Sequence, residues 1–234
     1  NSGNISSTLI ETSLIEAGNF TANAGNDFSN YGADITTSGD LNITAGDDIR
    51  IETVQLRDRS ELRAKKYTKI TDTTTNISSN ITSAGGITLI TNGTGTDNEA
   101  GTSGLGVGSS ILVSGSNVSA VNDLNLSANN NVIITNAVDK DYSFEQTTKK
   151  GSLKTSRTTR TDYVETAVSS NLNSKNINII SNSNIYVQGS DLNSQFDELT
   201  NTGGNTNLTA GNDAIITNAT LREYHHSNKS VSNR

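Results

Sequence analysis

The chain has 234 residues, carries 17 Lys and Arg against 24 Asp and Glu for a net charge of −7, and is only 4% aromatic. It has no Pro, Cys, Met or Trp, whereas Asn, Thr and Ser together supply 94 residues. This balance excludes disulfide scaffolds, thiolate metal sites and a compact core of large side chains. No apolar run approaches the roughly 20 residues of a membrane-spanning helix.

So polar a composition often marks disorder, but Ile, Val and Leu recur here at every second position in short bursts, which is the period of a strand. Zero cysteine suits a chain that stays unfolded and uncrosslinked while crossing an oxidising compartment. No basic and apolar leader opens the sequence, and with no Met the chain reads as an excised segment of a longer one.

In chain order, the first clear signal is Gly18-Asn19-Phe20-Thr21-Ala22, echoed 21 residues later by Gly39-Asp40-Leu41-Asn42-Ile43. One turn of a stacked coil therefore takes about 21 residues, which at ~3.3 Å per residue holds two or three short strands joined by corners. Leu41, Ile43, Ala45, Ile49 and Ile51 are predicted to point inward, and Asn42, Thr44 and Arg50 toward water. Gly46-Asp47-Asp48 marks a corner.

Leu41–Ile51 returns as Leu124–Ile134 and again as Thr206–Ile216, at spacings of 83 and 82 residues. A second coil type repeats as Ile77–Ser83 with Val168–Ser174, and Ile111–Val118 with Ile185–Leu192. The large units are thus placed at about 39–121, 122–203 and a truncated 204–234, within a single solenoid segment over 1–234. In the third copy Thr206 and Ala214 replace inward apolar residues. Seven or eight coils are expected, about 35–40 Å of rod at ~4.8 Å per coil.

Four stretches break the coil pattern and read as insertions: about 57–76, 92–109, 138–166 and 221–234. Twelve of the 17 basic residues lie in two of them, Arg57, Arg59, Arg63, Lys65, Lys66 and Lys69 in one, and Lys140, Lys149, Lys150, Lys154, Arg157 and Arg160 in the other. The stem is acidic and the insertions basic, so these cations (Lys140 apart, which leaves its coil beside Asp141) are the candidate anion-binding residues, for anionic glycans or a membrane surface. The reading favoured over anion binding is that they are solvated hairpins that keep a long sheet from sticking edge to edge, and partner docking is a further alternative. Nucleic acid is the least expected anion, because Tyr67, Tyr142 and Phe144 are too few for a stacking platform. Arg57-Asp58, Lys140-Asp141 and Arg222-Glu223 recur where each insertion leaves its coil, suggesting local ion pairs.

The ordered set Gly39-Asp40-Leu41-Asn42-Ile43-Thr44-Ala45-Gly46-Asp47-Asp48-Ile49, then a Ser/Thr/Lys/Arg-rich insertion, then Asn80–Leu89 and Val113–Ala120, resembles the filamentous haemagglutinin repeats of two-partner-secreted exoproteins, a group that includes contact-dependent growth-inhibition effectors. The resemblance spans nearly two copies of the larger repeat. It implies an all-β, right-handed parallel β-helix, export through a partner outer-membrane pore, and a secreted or cell-surface place on a Gram-negative bacterium. The implied role is a rod that carries an adhesive or toxic tip.

Other chemistry is thinly supported by the residues. Asp47, Asp48 and Asp213 lie near glycines, but a calcium β-roll needs a dense nonapeptide pattern that is missing. A β-helical polysaccharide lyase or hydrolase would need carboxylates of matched separation, which a corner repeated in each copy does not supply. Gly104-Leu105-Gly106-Val107-Gly108 precedes a strand, so no helix N-terminus is there to hold a phosphate. His225 and His226 adjoin with no thiol or carboxylate at ligand spacing. Eleven Asn-x-Ser/Thr sequons are expected by chance in such a composition. The reading is therefore a non-enzymatic element with no cofactor and no metal.

Overall fold

The structure is a computed structural model that describes residues 2–8, 11–93, 109–197 and 202–233. After strand β1 (Ser2–Ser6), the chain winds into a coil of three strands, β2 (Leu14–Ala17), β3 (Phe20–Ala24) and β4 (Phe28–Tyr31). The second coil is β5 (Asp34–Thr37), β6 (Leu41–Ala45) and β7 (Ile49–Glu52), and a hairpin follows, β8 (Val54–Ala64) and β9 (Tyr67–Ile77). Coils three and four are β10 (Asn80–Ser83), β11 (Ile87–Thr91), β12 (Ile111–Ser114), then β13 (Asn117–Ala120), β14 (Asp123–Ala128), β15 (Val132–Thr135). A longer hairpin, β16 (Ala137–Lys150) and β17 (Lys154–Val168), leads to coil five, β18 (Asn171–Ser174), β19 (Asn176–Ser181) and β20 (Ile185–Gln188). Coil six is β21 (Asp191–Ser194), a short pair β22 (Phe196–Asp197) and β23 (Thr202–Gly203), β24 (Asn205–Ala210) and β25 (Ala214–Thr217), with β26 (Glu223–Asn233) closing the order.

The coils stack in parallel into three six-stranded sheets, β2-β5-β10-β13-β18-β21, β3-β6-β11-β14-β19-β24 and β4-β7-β12-β15-β20-β25. This is a three-sided parallel β-helix of six coils among the described residues, about 29 Å at ~4.8 Å per coil. The expectation of seven or eight coils is corrected, because two long hairpins, a third excursion at the end and the segment between β11 and β12 consume chain that a count by length assigns to coils.

Strict alternation explains the interior. Leu41, Ile87, Leu124 and Ile177 pair rung to rung, as do Ile43, Leu89, Leu126 and Ile179, and every member of both columns is 0–1% exposed. Such ladders remove apolar area from water at about 25 cal/mol per Å² and make each coil a template for the next. Where the chain turns, the inward position shrinks to a hydroxyl: the Ser83 hydroxyl donates to Gly39 O at 2.7 Å, and that of Ser174 donates to Asn176 O at 2.6 Å. Both add a side-chain donor to a corner carbonyl, and Gly39 O also accepts the Gly85 N–H at 3.2 Å and the Thr37 hydroxyl at 2.9 Å.

The corner predicted at Asp48 belongs to a ladder of short polar side chains that runs from coil to coil. Asp27 Oδ1 accepts the Asp48 N–H (2.9 Å), Asp48 Oδ1 that of Ser110 (2.9 Å), Ser110 Oγ that of Asn131 (3.3 Å), Asn131 Oδ1 that of Asn184 (3.1 Å), and Asn184 Oδ1 that of Asp213 (3.2 Å). Each short polar side chain thus satisfies a backbone donor of the next coil, where sheet pairing is interrupted. Arg50, predicted to face water, is instead buried on the outer face of β7, with Nη2 2.9 Å from Asp48 Oδ2. Burial opposes its charge, but hydrogen bonds to Asp48 and Tyr31 hold its pKa above the ordinary arginine value.

Candidate functional site: an antiparallel fin beside the stem

The corner that returns the chain from the third sheet to the first alternates in character. After coils one, three and five it is Gly32, Gly115 or Gly189, with φ of 58°, 58° and 52°. After coils two, four and six the chain leaves the stem instead. A Cβ on Gly32 would lie 2.4 Å from Val54 Cγ1, one on Gly115 would lie 2.6 Å from Ala137 Cβ, and one on Gly189 would lie 2.6 Å from Ala219 Cβ. Each glycine therefore takes a left-handed conformation and also clears the space through which the next coil's excursion departs.

The excursions pair with one another. β1, β8, β9, β16, β17 and β26 form a single antiparallel sheet in that order, a fin beside the stem whose hairpin strands of 11 to 15 residues would span about 35–50 Å. β9 meets β16 from Tyr67 opposite Thr147 to Thr74 opposite Lys140, and β17 meets β26 from Lys154 opposite Asn233 to Val164 opposite Glu223. Polar hairpins expected to stand in solvent thus cover each other's edges, which a 14-residue strand requires if its backbone groups are to be paired.

This register distributes the candidate cations. Arg57, Arg59 and Arg63 project from one face of β8, and they are held by acids of the same hairpin. Arg57 donates to Asp72 through Nε (2.8 Å) and Nη2 (2.5 Å), Arg59 Nη1 reaches Asp72 at 3.1 Å and Arg59 Nη2 reaches Glu61 at 3.4 Å, and Arg63 is bonded to Glu61. The Arg57 hydrogen bonds hold the Asp72 carboxyl below the usual carboxylate range, and Arg63 does the same to Glu61. The expected neighbour pairs do not form: Arg57 pairs with Asp72 rather than Asp58, because adjacent residues of a strand point to opposite faces. Likewise Lys140 stands opposite Glu165, and the Arg222 N–H donates to Glu165 Oε2 at 2.9 Å.

Lys69 and Arg160 lie on the other face, opposite Glu145 from either side, while Arg157 returns to the Arg57 face. Arg160 is bound to Asp162 at 2.8 Å. Lys65, Lys66, Lys149, Lys150 and Lys154 gather at the fin's tip, where the Thr148 N–H donates to Lys66 O, all five side chains are exposed, and no ion pair holds them among the described residues. The basic stretches thus resolve into flanks that carry the paired Arg57, Arg59, Arg63 and Arg160 together with Lys69, Lys140 and Arg157, and a fringe of lysines at the tip.

Two groupings escape sequence reading. In one row across the fin stand Ile5, Arg59, Asp72, Tyr142, Tyr163 and Tyr224. The rings of Tyr163 and Tyr224 stack with centroids 5.3 Å apart, and the Tyr163 hydroxyl donates to Glu165. The 82-residue offset from Tyr142 to Tyr224 was the available signal, whereas Tyr163 enters only through hairpin register. On the opposite face the His225 imidazole bridges Asp162 Oδ1 (2.8 Å) and Glu223 Oε1 (3.0 Å). These carboxylates raise its pKa, Asp162 first, while Arg160 and then His225 lower that of Asp162. Gly104–Gly108 lies outside the described residues. Asp47 and Asp48 are structural neighbours at a corner, and among the described residues no cluster of three potential metal ligands occurs.

Comparison with known proteins matches the chain to a family model. The model of the hemagglutinin repeat matches residues 1–67 and 151–233, more than half of the chain and inclusive of both stem and fin strands. No curated protein and no solved structure matches. With a parallel β-helix whose coils and excursions return in fixed order, the chain belongs to the hemagglutinin repeat family.

Proposed function

We propose that this chain is a length of stem in a secreted bacterial surface exoprotein, a filament that sets an adhesive or toxic tip at a distance from the producing cell. Membership of the hemagglutinin repeat family carries the coarser statement, a structural, adhesin-type role in a large exoprotein. The observation that supports the finer one is the uninterrupted interior: four consecutive coils bury Leu41, Ile87, Leu124 and Ile177 in one column. Such a core propagates length coil by coil. Passage through a partner outer-membrane pore of a Gram-negative cell agrees with the absence of cysteine.

An in-frame deletion of residues 54–136 from the exported parent protein tests this reading, since it removes one hairpin and two coils. The expected result is normal surface display with a projection shorter by about 10 Å and target-cell contact retained. Loss of contact with display intact would overturn it.

A second reading rests on the lysine fringe at the tip, which supports engagement of an anionic glycan or a target outer membrane by charge neutralisation. It predicts retention on a heparin column below about 150 mM salt, abolished when Lys65, Lys66, Lys149 and Lys150 become Gln. An unretained wild-type chain would sink it.

A further inference from the structure

The fin's Tyr142 face carries a groove distinct from the lysine tip. It has a volume of about 490 Å³, and its lining includes Arg57, Asp72, Lys140, Tyr142, Tyr163 and Tyr224. Its composition is unlike the rest of the molecule: three of the chain's six tyrosines stand in one cross-strand row, on a protein that is 4% aromatic. Two guanidinium groups converge on one carboxylate beside them.

Three features define what such a surface can hold. Tyr163 and Tyr224 stack on each other with centroids 5.3 Å apart, so the row offers C–H groups its ring edges and the ring faces outside that pair, on strands whose ~4.8 Å spacing is close to the length of one sugar ring. The Asp72 carboxylate and the Arg57 and Arg59 guanidinium groups are planar polar groups whose geometry matches vicinal hydroxyls, and Arg57 Nη1 is not used in binding Asp72. Finally, the charge is modest. Arg57, Arg59 and Lys140 face Asp72 in the groove and Glu165 opposite Lys140, which leaves one net positive charge. One net positive charge is enough to pair with the single carboxylate of a uronic acid that lies over the groove, and too little to retain a densely sulfated chain, whose many charges gain from a wider basic surface.

We propose that this groove binds an extended saccharide of pyranose rings that carries a carboxylate, a uronic-acid chain, with the sugar faces on the Tyr142, Tyr163 and Tyr224 row and the carboxylate at Arg57 and Lys140. The site lies on the fin's flank and is independent of the lysine tip. It goes beyond the stem reading, which stands whether or not the groove is occupied.

The test is titration calorimetry on the 234-residue chain with a galacturonate hexamer, a neutral galactose hexamer and a heparin hexasaccharide. The galacturonate hexamer is expected to bind saturably, and Tyr163→Ala or Tyr224→Ala to weaken it about tenfold, whereas Tyr163→Phe retains it. Arg57→Gln is expected to erase the preference for the acidic over the neutral hexamer. Replacing Lys65, Lys66, Lys149 and Lys150 with Gln is expected to leave galacturonate affinity unchanged. Far-UV circular dichroism confirms that each variant keeps its sheet content, and an Ala variant that loses it is replaced by Tyr163→Leu or Tyr224→Leu, which keeps apolar bulk on the strand but removes the ring. No binding by the folded wild-type chain at millimolar ligand overturns the proposal. So does equal affinity for the neutral hexamer, unchanged affinity on tyrosine truncation, or dependence on the tip lysines.

Discussion

At Gly115 the absence of a side chain does two jobs. The residue sits at φ 58°, where an L side chain is strained, and any Cβ would fall 2.6 Å from Ala137 Cβ and 2.8 Å from Thr53 Cγ2. Gly115→Ala is therefore expected to destabilise the chain by about 1–3 kcal/mol, read as a lower urea midpoint at unchanged slope. Gly25→Ala is the control, since nothing lies within 4 Å of its Cβ position and its φ is not positive, and its midpoint should move little. The same scale explains why Asp48 is not a site. One of its oxygens accepts the Ser110 N–H and the other binds Arg50, so the carboxylate is occupied in holding two coils together. From sequence, a corner and a catalytic aspartate look alike, because the residue type serves both.

At the scale of elements, the fin depends on strand-to-strand register, and its outer strand β26 is attached to β17 partly through a titratable group. His225 on β26 faces Asp162 and Arg160 on β17 and Glu223 on its own strand, and Asp162 also accepts from Ser143 of β16. Its folded pKa is raised above the unfolded value of 6.5, so the stabilisation is complete below 6.5 and is lost as pH rises through the higher folded value. Amide exchange corrected for intrinsic rates should show β26 more protected near pH 5 than near pH 9, while β11 and β14 of the stem stay constant. His225→Gln should remove the difference. A pH-independent β26 in the wild-type chain would contradict the pairing.

For the whole molecule, the interior is a one-dimensional stack, and the cost of a defect depends on whether coils lie on both sides of it. Leu124 is fully buried between Ile87 and Ile177, so Leu124→Ala should cost about 2–5 kcal/mol. Leu208, in the last coil, is only partly buried against the core, and Leu208→Ala should cost clearly less in the same urea titration. Equal effects would mean that the chain unfolds as a globule rather than as a stack. The fin adds a second set of couplings, because it joins β1 to β26 across the full run of coils through pairing that bypasses the stem.

Much of this architecture was legible in the residues. Alternation at Leu41, Ile43, Ile49 and Ile51, the 21-residue echo and the 83-residue return determined strands, coil length and the order of coils, because side-chain period and turn chemistry are local properties. The positions where the coil pattern breaks were visible for the same reason. What only the tertiary structure decided was how the breaks use one another. Antiparallel pairing between hairpins far apart in sequence sets which faces meet, and a shift of one residue would exchange them. That register sends Arg57 to Asp72 instead of Asp58, divides Lys69 and Arg160 from Arg59, and draws Tyr142, Tyr163 and Tyr224 into one row. Local pattern specifies a strand and its two faces, but the neighbour on each face is chosen by the sheet.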